Sequence, residues 1–277
     1  MQRWISILLI SLLPSLAMAQ DGVGPPSLSS PDFDPSTLSD QEILDLLRQI
    51  ETRRDYPQRT VIMGIPSGFG APRGFGFVSF AATDRRERGR PKDFDASIAL
   101  GYGLGNAQTA IGVTPVIEIT STTPSHFGSS GRVGLHFSRN FSLEEIWQGA
   151  AGLGLQNLLT WGDSSVLDPE WNLSFSSVRR ADENLGLPIL VSAGYGSGVS
   201  RFGSDPGFYG GIGVGIHKNF GLSIAWYGDE AITGVNFWPF PEKNLLINLG
   251  IGDTFNNVSG RRILLTVTLG KRFARRP

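Results

Sequence analysis

From Phe94 the chain alternates. Phe94, Ala96, Ile98, Leu100, Tyr102 and Leu104 take every second position, with Asp95, Ser97, Ala99, Gly101 and Gly103 between them; after the turn "GNA" comes a second run in which Ile111, Val113, Ile117 and Ile119 alternate with Gly112, Thr114, Val116 and Glu118. A period of two puts successive side chains on opposite faces, so these are strands. The same period runs through 74–82, 132–138, 151–160, 171–177, 187–197, 209–218, 221–227, 233–238, 245–252 and 262–273. The pattern predicts about twelve strands.

The two faces differ in an unusual way. In "FYGGIGVGIHKNFGLSIAWYG", Ile212, Val214, Ile216, Leu222 and Ile224 share one face, while Gly211, Gly213 and Gly215 fall on the other. A soluble sandwich turns Lys, Glu and Arg to water. Here the second face carries Gly, Ser, Thr and Asn, and most charges fall between strands, in "DRRERGRPK", "RRADEN", "GDEA" and "PEK". The aliphatic face therefore meets lipid, and a sheet in lipid must close so that every backbone group is paired. The expected fold is all-β, a closed antiparallel transmembrane β-barrel of about twelve strands.

Before the barrel the pattern changes. "MQRWISILLISLLPSLAMAQ" has one Arg, an apolar run and the small-x-small "AMA", which predicts a signal peptide over 1–19, cleaved after Ala19. A Pro/Ser-rich linker follows within 20–58. It leads into a helix over 39–55, where Ser39 and Glu42 have capping-box spacing, Ile43, Leu46, Leu47 and Ile50 form one stripe, and Arg53 and Arg54 close the last turn. The stripe rests either on or inside the barrel of its own chain, or on a periplasmic partner. The barrel domain is expected over 59–277.

Composition narrows the classes. The chain has no cysteine among 277 residues, which excludes disulfide scaffolds, thiolate nucleophiles and cysteine metal sites. A net charge of -1 gives no electrostatic case for nucleic acid. Loop lengths set an orientation: with the N terminus periplasmic, "GNA", "HKNF" and "PFPEK" are inner turns, and residues 83–92, 122–130, 163–169 and 201–207 lie outside. Trp161, Trp171 and Trp226 then mark the outer membrane interface, with Phe220, Trp238 and Phe273 at the inner one.

The last strand, "RRILLTVTLGKRF", resembles the C-terminal assembly signal of Gram-negative outer-membrane β-barrels, although "ARRP" follows its final Phe273. That resemblance implies the barrel-insertion machinery as a partner and the outer membrane as the location. "PSGFGAPRGFGFVSF", "GYGLGN", "IGV", the "WG" of Trp161 and Gly162, and "SIAWYG" look like barrels of cyanobacterial outer membranes, distantly similar to exopolysaccharide-associated barrels. This second resemblance implies a fold and a place without naming an activity.

Candidate chemistry is sparse. Asp95, Glu118 and Arg132 lie on three successive strands and are expected as lumen neighbours, either a charge-selective constriction or an ion-paired rim. His136 and Ser138 share a strand face, a spacing that resembles lipid A deacylase barrels. In those enzymes Asn follows the Ser and a strand-borne Glu completes the set, whereas here Arg139 intervenes and Glu144 and Glu145 lie in a connection. His126, His136 and His217 are scattered, so no metal site is expected. No cofactor is implied. The expected function is a passive pore, or an accessory or scaffold in envelope or polysaccharide export; the alternative is a lipid-modifying hydrolase using His136 and Ser138.

Overall fold

The computed structural model describes residues 59–84, 94–143, 147–179, 187–201, 203–240, 243–258 and 260–273. The signal peptide and the 39–55 helix lie outside the described residues, as does most of the 83–92 connection and of "RRADEN". Thirteen strands run in chain order: β1 Phe75–Asp84, β2 Phe94–Tyr102, β3 Leu104–Gly105, β4 Gly112–Ile119, β5 Gly131–Ser142, β6 Trp147–Trp161 and β7 Glu170–Arg179, followed by β8 Ile189–Ser200, β9 Asp205–His217, β10 Phe220–Tyr227, β11 Glu230–Phe237, β12 Leu245–Gly252 and β13 Arg262–Arg272. β2 and β3 form one stave interrupted at Gly103, and both pair with β4. Every pairing is antiparallel, and β1 joins β13 as well as β2, so twelve staves close into a barrel.

Closure leaves no unpaired sheet edge, which a bilayer requires. The outer surface is a belt of large apolar side chains, among them Phe80, Leu100, Ile117, Leu173, Val191 and Ile212, with Leu222, Ile224, Leu249 and Leu269 continuing it, all exposed. In water such a belt would be a large apolar patch; in hydrocarbon it is the expected surface. Many inward positions between them are small or polar, with Ser79, Ser97, Thr114, Ser174, Ser192 and Thr268 all buried, while Phe77, Leu190, Tyr209, Tyr227, Leu246 and Leu264 turn larger side chains inward. Gly213 and Gly215 are buried beside exposed Ile212 and Ile216, as the alternation predicts.

Two aromatic sets mark the strand ends. Trp171, Tyr195 and Phe208 form a chain of ring contacts with centroids 6.0 and 4.7 Å apart. At the opposite end, where β1 begins and β13 finishes, Phe220 stacks on Phe237 at 4.8 Å and Tyr102 meets Phe273 at 6.4 Å. We call that end the terminal end and the other the far end. Trp161, Trp171 and Trp226 lie toward the far end; Trp161 is half-buried and donates its indole N–H to Gly128 O at 3.0 Å.

Trp238 departs from the expected interface position. It is 3% exposed and packs with Val61 and Leu246 inside the terminal end of the barrel. Parity explains it: Phe237 faces outward against Phe220, so the next residue turns in. A second departure lies in β6, whose pairing with β5 jumps from Val133↔Leu159 to Leu135↔Leu155. Asn157 takes a φ of 54° there, Gln156 and Asn157 both turn inward, and Leu158, which strict alternation from Gly152 and Gly154 would turn inward, is 41% exposed.

Candidate functional site

The barrel is occupied by its own chain. Residues 59–74 contain no strand. They enter at the terminal end, where a Cβ on Gly215 would lie 2.7 Å from Arg59 O, and rise past Gly213 and Gly211. They turn at Met63 and Gly64, the latter at φ 87°, against Ile232. The return limb descends on the opposite wall and meets Gly103 through the carbonyl of Pro72 before β1 begins. Val61, Ile62, Met63, Ile65 and Phe69 are all buried.

The wall is built to receive this segment. Ser223 Oγ accepts from Met63 N–H at 3.2 Å, Ser176 Oγ from Gly68 N–H at 2.8 Å, and Thr114 Oγ1 from Ala71 N–H at 3.0 Å. Asn236 Nδ2 donates to Val61 O at 2.9 Å, and Ser67 and Ser176 share a hydrogen bond between their hydroxyls at 3.3 Å. Without these contacts the buried backbone groups of the segment would be orphaned. Glycines supply the room: a Cβ on Gly213 would lie 2.5 Å from Val61 O, and one on Gly152 would lie 3.0 Å from Gly68 Cα.

Toward the far end the lumen carries ion pairs. Glu118 and Arg132 are directly opposite on β4 and β5 and form a salt bridge with both side chains 1% exposed. Arg132 Nη1 also donates to Asn157 Oδ1 at 3.1 Å, and Asn157 Nδ2 donates to Asp168 O at 2.9 Å, so the β6 bulge orients the guanidinium. Asp95 lies at a different height on β2. It pairs with Thr83, whereas Ala99 is the β2 residue opposite Glu118, four positions or roughly 13 Å along the strand.

A second pair, Glu230 with Arg262, joins the starts of β11 and β13 across β12. Asp84 and Asp253 stand close to it. Asp84 Oδ1 accepts from Ile263 N–H at 2.6 Å, and the Asp253 carboxylate accepts from the N–H groups of Asn257, Val258 and Gly260. Sequence reading missed this pair, although both residues fall on the inward parity of their strands.

His136 and Ser138 do share the lumen face, and both are buried against the return limb. A Cβ on Gly70 would lie 2.6 Å from Ser138 Oγ and 3.2 Å from the His136 ring. Neither Ser138 Oγ nor His136 Nε2 has a hydrogen-bond partner, so the two are not bonded to each other as nucleophile and base. Among the described residues no group of three His, Asp or Glu side chains is placed to hold a metal ion.

No known family and no curated protein matches the chain. Solved barrels do. A KdgM porin in complex with disordered oligogalacturonate is 11% identical, with 70% of this chain and 98% of that chain covered and a TM-score of 0.46. The COG4313 outer membrane channel from Pseudomonas putida F1 is 14% identical over 73% of this chain and 97% of that one, TM-score 0.43. The outer membrane channel DcaP of Acinetobacter baumannii is 11% identical over 71% and 96%, TM-score 0.31.

Proposed function

We propose that the chain is an outer-membrane diffusion channel that rests closed, its lumen filled by its own residues 59–74. The observation that carries this reading is the pairing of a polar, small-residue wall with a removable occupant. A barrel serving only as a rigid scaffold has every reason to fill its interior with apolar side chains from the staves. This wall instead presents Ser79, Ser97, Ser174, Ser192, Asn248 and Thr268, groups suited to water, beside stave side chains such as Leu190, Leu246 and Leu264, and much of the remaining apolar filling comes from a segment outside the sheet. With the terminal end periplasmic, the segment enters from the periplasm and the ion pairs lie toward the cell exterior.

The occupant is held near balance. Burying Val61, Ile62, Met63, Ile65 and Phe69 is worth about 10 kcal/mol at about 2 kcal/mol each. The five hydrogen bonds to the wall add about 5 kcal/mol. Ordering the backbone of 60–72 costs about 15 kcal/mol. Release of the segment is therefore within reach of modest forces.

The test is single-channel recording of the full-length chain beside its Ile62→Asp/Ile65→Asp variant, in which two buried apolar contacts of the segment become carboxylates. The wild type should be silent or open briefly, and the variant should conduct steadily. Equal, continuous conductance in both would overturn the closed-channel reading, and silence in both, with folded barrels, would overturn the channel.

A further inference from the structure

Four buried side chains form a row along the lumen wall, beginning at the asparagine that holds Val61 of the occupant. Asn236 on β11 is directly opposite Asn248 on β12, Asn248 is opposite Thr266 on β13, Thr266 is opposite Ala81 on β1, and Ala81 is opposite Ser97 on β2. All face the lumen. Each of the four polar members keeps an oxygen without a hydrogen-bond partner: Oδ1 of both asparagines, Oγ1 of Thr266 and Oγ of Ser97. Buried polar atoms in folded proteins are nearly always satisfied. Four orphans on five adjacent strands are polar groups that the protein's own atoms leave unpartnered.

We propose that this row is a hydrogen-bonding track for an uncharged, polyhydroxylated solute of the saccharide class, used once residues 59–74 have left the lumen; the proposal rests on the channel reading above. Three features point to that chemistry. The row bears no charge, whereas selection of ions uses rings of charged side chains. Its amides and hydroxyls both donate and accept, matching sugar hydroxyls. Its geometry follows a linear chain: rows perpendicular to tilted strands climb the barrel, and this one ascends from Asn236 in the terminal half of β11 to Ser97 in the far half of β2. Its steps are about 4.8 Å, the spacing of neighbouring strands, close to the length of one pyranose unit. Asn236 already uses its Nδ2 to hold Val61 O, so the occupant and the solute would compete for one donor.

The experiment uses the full-length Ile62→Asp/Ile65→Asp chain in planar bilayers with maltotriose as the probe. Half-block is read against each variant's own open current. Maltotriose should interrupt the ion current in a concentration-dependent way, and adding Asn248→Leu and Thr266→Val should weaken half-block about tenfold, as expected for losing two hydrogen bonds. An anionic trisaccharide of the same length should block no better. Current without maltotriose block, or block of equal strength in the Asn248→Leu/Thr266→Val chain, overturns the track while leaving the channel standing. Absence of any current from a folded barrel overturns both. Should the double Asp chain fail to show the heat-shifted gel mobility of a folded barrel, a chain lacking residues 60–72 takes its place with the same outcomes.

Discussion

Arg132 clasps Glu118 from the adjacent strand inside the barrel, and both side chains are 1% exposed. A buried pair of this kind is weak support for stability as a pair, but removing one partner strands the other charge away from water. Glu118→Gln or Arg132→Met alone should therefore cost about 3–5 kcal/mol, and the combined Glu118→Leu/Arg132→Met change should cost less than either. Urea titration of the purified barrel, read by the gel mobility of folded and unfolded forms, gives these differences. Additive losses in the double variant would show that the pair is not desolvated.

The apolar belt makes its own prediction. Leu222 and Ile224 lie in the middle of β10 and point outward, so Arg at either should cost roughly 2–4 kcal/mol of folding into lipid vesicles, while Leu222→Phe should be tolerated. If Leu222→Arg folded as well as Leu222→Phe, the outer face would not be in hydrocarbon.

Alternation alone was enough to read the staves: a period of two with glycine or hydroxyl residues on one side specifies both the strand and the face, and 245–252 matches β12 at both ends. What broke the reading were places where period two fails. The two extra residues of β6 around Asn157 reverse the parity of Leu158, and no local composition announces a bulge there. Trp238 has the residue type of an interface anchor, and only its parity after Phe237 sends it inward. The 59–74 segment was the hardest to see. "TVIMGIPSGFGAPRG" has no period and is punctuated by Gly and Pro, so it reads as a connection, and its burial depends on glycines more than 80 residues away. The glycine-rich lumen did signal room for an occupant. The 39–55 helix, expected either on or inside the barrel or on a periplasmic partner, lies outside the described residues.

Those glycines differ in how much they constrain. A Cβ on Gly213 would lie 2.5 Å from the backbone oxygen of Val61, which cannot swing aside, whereas the nearest atoms to one on Gly234 all belong to side chains, the first being Met63 Sδ, a flexible end, at 2.9 Å. Gly213→Val should therefore displace the rising limb and raise conductance severalfold with the barrel intact, and Gly234→Ala should leave it near the wild-type level. Equal effects from the two substitutions would mean that the limb does not run along β9.

Locking the segment asks directly whether it must move. The natural chain has no cysteine, so two introduced thiols have only each other. A Cβ on Gly234 would lie 3.1 Å from Met63 Cβ, and a Cβ on Gly70 would lie 3.2 Å from Ser138 Cβ, both within about half an ångström of the usual disulfide separation of roughly 3.5–4.5 Å. Neither glycine has a positive φ, so Cys fits the backbone at both. Met63→Cys/Gly234→Cys pins the turn of the segment, and Gly70→Cys/Ser138→Cys pins its return limb. With the bond confirmed by loss of free thiol, the turn-locked chain should stay silent at voltages that open the wild type, and a reducing agent should restore opening. The limb-locked chain should be silent only if both limbs leave together. Wild-type conductance from a fully oxidised Met63→Cys/Gly234→Cys chain would show that solutes pass beside the segment, and the channel would then be narrow and permanently open instead of gated.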